Sequence, residues 1–140
     1  MSTEENKKIA RRYLMAHAAN DPGILEELLA PGFKAQHATT SLNREALLHS
    51  VCTYSEAFND RKFTVKEQIA EGDKVVTRCT WRGIHTGNYL GLAPTIKQTE
   101  ISVFFVQRIR DGRILEQWFL FDQLGMMQQL GQVPPSQADQ

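Results

Sequence analysis

The sequence predicts an α+β fold: N-terminal helices packed on a strongly curved antiparallel sheet, the two together forming a cone around an internal apolar pocket. Three observations predict it. Apolar residues recur at helical steps as far as Phe58 and alternate with a period of two beyond it. At the same point the breakers change from caps and Pro-Gly to Gly-containing turns. The last strand carries Ile114, Trp118 and Leu120 on one parity and Leu115, Phe119 and Phe121 on the other, so both of its faces need a cover.

Ser2 and Glu5 have capping-box spacing, and Ile9, Tyr13, Ala16 and His17 follow at helical steps, which predicts a helix over 3–19. Asp21-Pro22 opens a second helix through Leu25 and Leu28, and Pro31-Gly32 should terminate it. A short strand over 33–37 comes next. Asn43 caps a third helix over 44–58 whose Leu47, Val51, Tyr54 and Phe58 mark one buried face. Strands are expected over 63–69, 74–84, 99–109 and 113–122, with a hairpin turn at Arg110-Asp111-Gly112. Residues 86–97 form an irregular loop. A single domain over 1–131 and a disordered tail over 132–140, rich in Pro and Gln, complete the expected organisation.

The 140 residues are 41% hydrophobic, enough for one core without disulfides or a structural metal. Sixteen basic side chains balance 16 acidic ones, which leaves no basic stripe for nucleic acid or an anionic membrane surface. No apolar run approaches the ~20 residues of a membrane span, and the polar start MSTEENKK is unlike a signal peptide. Cys52 and Cys79 have no CxxC or histidine spacing around them, so no metal is expected, and two free thiols fit a reducing cytoplasm. The sequence has no GxSxG elbow, phosphate loop, HExxH or GxGxxG, which removes support for a nucleophilic triad or a nucleotide cofactor.

The groups that remain are carboxylates and imidazoles. Asp122 ends an apolar strand on the parity of Glu116, Trp118 and Leu120. There it either exchanges protons in an apolar pocket or caps a helix over 123–130. Glu116, too distant for a carboxylate dyad, is expected to pair with Arg78 or Arg108. His85 ends a strand where a loop begins and His37 closes the first strand, so both are candidate pocket groups. His17 and His49, inside helices, read as lateral or solvent-facing.

The run from Gly83 through His85, Gly87, Tyr89 and Gly91 to Pro94-Thr95 resembles the "G-x-H-x-G-x-[FY]-x-G-x-x-P-T" pattern of the SnoaL-like polyketide cyclase family. The stretches Asp111-Gly112-Arg113 to Trp118, Gly72-Asp73 with Arg78, and Leu29-Ala30-Pro31 with Phe33 are similar to further family segments in the same order. Three positions depart from the pattern: Ala38-Thr39 after His37, Asn59 after Phe58, and Ile96 where a glycine is usual.

The resemblance implies a nuclear-transport-factor-two-like cone and a cofactor-independent intramolecular aldol closure in which Asp122 is the general acid/base and His85 lies beside the pocket. On that basis Trp118, His37, Tyr13 and Phe58 are expected to bind a small apolar carbonyl substrate. No cofactor is expected. The covered outer face of the sheet is expected to form a homodimer. A ketosteroid-isomerase-like reaction, an epoxide-hydrolase-like one using Asp122 with Arg78, and a non-catalytic ligand binder are the alternatives.

Overall fold

The computed structural model describes residues 2–132. Helix α1 (Thr3–Ala19) starts at Ser2, whose hydroxyl accepts from the Glu5 amide, and ends at Asn20 in the left-handed conformation. Helix α2 (Pro22–Leu28) starts at Asp21, whose carboxylate accepts from the Ile24 amide. Strand β1 (Leu29–His37) follows without a break, so Pro31-Gly32 interrupts a strand where it was expected to end a helix. Proline is tolerated there because the pairing of β1 is irregular between Leu29 and Lys34.

A short strand β2 (Thr40–Asn43), unmarked in the sequence pattern, pairs back on β1. Helix α3 (Arg44–Ala57) is capped by Asn43, which accepts from the Ala46 amide. Strands β3 (Phe58–Glu71), β4 (Lys74–His85), β5 (Gln98–Arg110) and β6 (Arg113–Phe121) form the meander, and α4 (Gln123–Gln129) closes the described chain.

The six strands run in the order β2-β1-β6-β5-β4-β3. The expectation of an all-antiparallel sheet needs one correction: β1 pairs with β6 in parallel, Lys34 opposite Glu116 and His37 opposite Phe119. Parallel pairing follows from the long route the chain takes between the two strands. Irregularities in β3 between Asn59 and Lys62 and between Val65 and Glu67 bend the sheet, and α1 and α3 pack into its hollow.

Odd-numbered residues of β4 and β5, among them Val75, Cys79, Trp81, Val103, Phe105 and Ile109, face that hollow and are buried. In β6 the extra residue Leu115 lets Ile109 face Ile114 while Arg108 faces Glu116, so Gln117, Phe119 and Phe121 point inward and Glu116, Trp118 and Leu120 outward. The expected disordered tail falls, apart from Gln132, outside the described residues.

Candidate functional site

A cavity of about 470 Å³ lies between the hollow of the sheet and helices α1 and α3. Its sheet wall is Trp81, Val103, Phe105, Phe119 and Phe121, and its helical wall is Tyr13, His17, Leu47 and Tyr54. The exposed lining residues Thr40, His49, Leu90 and Gln123 mark its mouth. This is the size and character of a pocket for one drug-sized apolar molecule.

Polar groups inside are few and ordered. The buried Gln107 amide donates to Gln117 Oε1 at 2.7 Å, and Gln117 Nε2 donates to the Tyr13 hydroxyl at 3.2 Å. The Tyr13 oxygen thus accepts within the protein and keeps its own proton to donate. Burial raises the Tyr13 phenol well above its usual range, so it is protonated at any physiological pH. Across the cavity the Tyr54 and Tyr89 hydroxyls are 3.4 Å apart, both phenols likewise raised by burial.

His17 lines the cavity one helical turn after Tyr13, its ring edge-on to Tyr13 at 5.9 Å and to Phe63 at 5.3 Å. Its Nδ1 is buried without a hydrogen-bond partner. Desolvation lowers its pKa to about 4, opposed by the ring's interaction with its own backbone and assisted by the nearby Arg61 guanidinium, so the imidazole is neutral near pH 7. Arg61 itself is held by the carbonyls of Ala18, Ser55 and Phe58, which ties the ends of α1 and α3 to β3.

The residues singled out in the sequence divide into four groups. Tyr13 and His37 line the cavity, His37 stacked on Phe119 at 5.0 Å and on Phe121 at 4.6 Å, with burial lowering its proton affinity. Phe58 and His85 stand behind the wall. Phe58 is fully buried against Trp81, Tyr89 and His85, and His85 Nδ1 accepts from the Thr95 amide at 3.1 Å.

Trp118 lies on the opposite face of the sheet from the cavity, with Lys74 Nζ over its ring at 5.9 Å, because the strand parity that turns Phe119 inward turns Trp118 outward. Asp122 is exposed at the N-terminus of α4, where its Oδ1 accepts from the Gly125 amide at 2.8 Å. Its chain neighbours Phe121 and Gln123 line the cavity and it does not.

Among the described residues no carboxylate lines the cavity. Glu116 pairs with Arg108 at 3.1 Å and Arg78 with Glu67 at 3.4 Å, both away from the cavity. Among the described residues no group of three or more His, Cys, Asp or Glu side chains could hold a metal, and no helix is long and apolar enough to cross a membrane. Sequence reasoning missed Gln117 and Tyr89, and its reading of His17 as lateral or solvent-facing is corrected by the place of His17 in the cavity wall. For His17 a signal was present, since it follows Tyr13 by four positions and shares its helix face.

The chain belongs to the SnoaL-like polyketide cyclase family, whose profile matches residues 7–130. IdmH of Streptomyces antibioticus, a candidate polyketide cyclase, is 30% identical, with 90% of this chain and 98% of IdmH covered and a TM-score of 0.82. AclR of Streptomyces galilaeus, a candidate hydroxylase, superposes with a TM-score of 0.89 at 22% identity over 96% of this chain and 86% of that one. A protein from Catenulispora acidiphila with a ketosteroid isomerase-like fold matches at 15% identity and a TM-score of 0.74, covering 88% of this chain and 92% of its own. These last two likenesses establish the shared cone fold. Among curated proteins, none matches.

Proposed function

We propose that this chain is a cofactor-independent cyclase or isomerase that takes a small apolar, polyketide-like carbonyl compound into the aromatic cavity. The observation that carries the reading is Tyr13 in the wall of an apolar cavity, its hydroxyl oriented by a hydrogen bond from Gln117. A donor fixed in this way is suited to an oxygen that gains negative charge, because it does not have to reorganise during the reaction.

The chemistry requires only proton movement. A base removes a proton from the carbon next to a carbonyl, and the carbonyl oxygen becomes an enolate oxygen that Tyr13 hydrogen-bonds. The enolate carbon then either recovers a proton at a new position, which is isomerisation, or attacks a second carbonyl of the same molecule. In the second case that carbonyl oxygen takes up the proton and a ring closes. Neither outcome changes the oxidation state overall.

Asp122 is the acid/base that the family resemblance implies. Its place at the cavity mouth beside Phe121 and Gln123 supports that role, while its exposure and its bond to Gly125 fit the capping role. The test is a thermal-shift and absorbance screen of polyketide-like and steroid-like carbonyl compounds, repeated with Tyr13→Phe. The reading expects turnover of at least one compound, reduced ~10²-fold or more in the variant. Stabilisation without turnover in every case would make the protein a ligand binder.

A further inference from the structure

We propose that His17 is the base inside the cavity, working with Tyr13 one turn earlier on the same face of α1. The inference rests on the proton-transfer reading above and names the group that would perform the transfer. Three observations carry it. Among the described residues the cavity lining contains no carboxylate, so a base within that lining is an imidazole. Of the lining histidines, His49 is exposed at the mouth and His37 is stacked over Phe119 and Phe121 at the edge of the sheet wall. His17 stands in the helical wall between Tyr13 and Phe63, and among the described residues its buried Nδ1 has no hydrogen-bond partner.

The geometry also supplies a division of labour. Tyr13 and His17 are four residues apart on one helix, so a substrate lying along that face meets a proton acceptor and a proton donor together. Edge contacts to Tyr13 and Phe63 fix the imidazole plane. When the ring accepts the carbon-bound proton it becomes an imidazolium beside the newly formed enolate, and the proton is returned from the same nitrogen. Of the titratable and charged groups around it, Arg61 disfavours the imidazolium, Tyr13 stays a neutral phenol, and the enolate supplies the compensating charge.

Nitrobenzisoxazole is the test probe, because it reports proton abstraction by any base in an apolar cavity. Removal of its ring C–H proton forms the nitrile as the N–O bond breaks and releases a coloured phenolate. Its unreactive isostere nitroindazole reports binding separately through quenching of protein fluorescence. The wild-type chain should cleave the probe with saturation, and His17→Gln should lower kcat by ~10-fold or more with nitroindazole affinity retained. Asp122→Asn is run in parallel.

A larger loss in Asp122→Asn than in His17→Gln overturns the proposal in favour of the carboxylate at the mouth. Bound nitroindazole with equal rates in wild type and His17→Gln overturns it while leaving the cavity reading intact. Failure of the wild-type protein to bind nitroindazole overturns both. Should His17→Gln not fold, the imidazole resonances of the wild-type protein decide: they must shift on adding nitroindazole, and unshifted His17 resonances reject the assignment.

Discussion

Gln117 Nε2 reaches the Tyr13 hydroxyl at 3.2 Å, joining β6 to α1 across 104 residues of sequence inside the core. The same Gln117 accepts from Gln107, so three polar side chains satisfy one another with no exposed member. Replacing Gln117 by Leu leaves the Gln107 amide and the Tyr13 oxygen buried without their partner. The expected cost is about 2 kcal/mol or more, read as a lower urea midpoint at unchanged slope. Tyr13→Phe removes a single hydroxyl and should cost about 1 kcal/mol.

Acid should weaken the fold through the same cavity. His17 binds its proton at about 4 in the fold against the ordinary 6.5, because burial and Arg61 disfavour the charged ring. Between those two values the unfolded chain holds the proton and the folded chain does not. Stability is therefore complete above about pH 6.5 and falls as pH drops towards 4. The loss attributable to His17 is at most roughly 3 kcal/mol, and His37, lowered in the same direction, adds to it. Urea unfolding at successive pH values should show a shallower decline in His17→Gln than in wild type. Equal slopes would mean that His17 is hydrated in the fold.

The loop between β4 and β5 makes a separate demand on two residues. A Cβ on Gly87 would collide with the Glu56 carbonyl oxygen, a backbone atom that cannot turn aside. Gly87→Ala should destabilise by about 1–3 kcal/mol as the loop is pushed off α3. Ile96 adopts φ +61, a left-handed conformation that a β-branched residue resists and glycine accepts. Ile96→Gly should therefore stabilise the fold by up to about 1 kcal/mol, with relieved strain exceeding the added chain entropy. A lower melting temperature for Ile96→Gly would refute this.

On the outer face of the sheet Phe104 and Leu120 are paired in register and are 48% and 57% exposed. We propose a homodimer through this face, since exposed apolar neighbours on a sheet are otherwise an association hazard. Light scattering should give twice the 15.9 kDa of one chain, and Phe104→Asp with Leu120→Asp should return the single-chain mass. A wild-type protein at the single-chain mass would reject the dimer.

The caps of α1, α2 and α3 were legible because Ser2, Asp21 and Asn43 act within four residues of themselves. So were the register-setting turns at Gly72 and Gly112, both at positive φ. The parallel β1 pairing was not, since it depends on residues about eighty positions apart meeting in space. Trp118 was placed in the pocket for a similar reason: alternation shows that neighbouring residues face opposite ways but not which way is inward. That choice is made by Phe105, which stacks on Phe119 from the buried side. His85 was read from the pattern as a pocket group, and its Nδ1 serves the Thr95 loop. Asp122 left two readings in the sequence, and the cap is the contact the structure shows.

The parallel pairing of β1 with β6 has a consequence for how the chain acquires its shape. Leu29 meets Ile114 and His37 meets Phe119, so β1 has no sheet partner but β2 until the last strand of the meander is in place. During synthesis the first helices and β1 would emerge well before the strand that completes their half of the cavity. The meander can form from local hairpins, whereas the β1–β6 seam must close a loop of most of the chain at a real entropic cost. That seam is thus a natural late step, and the cavity becomes an enclosed space only when it forms.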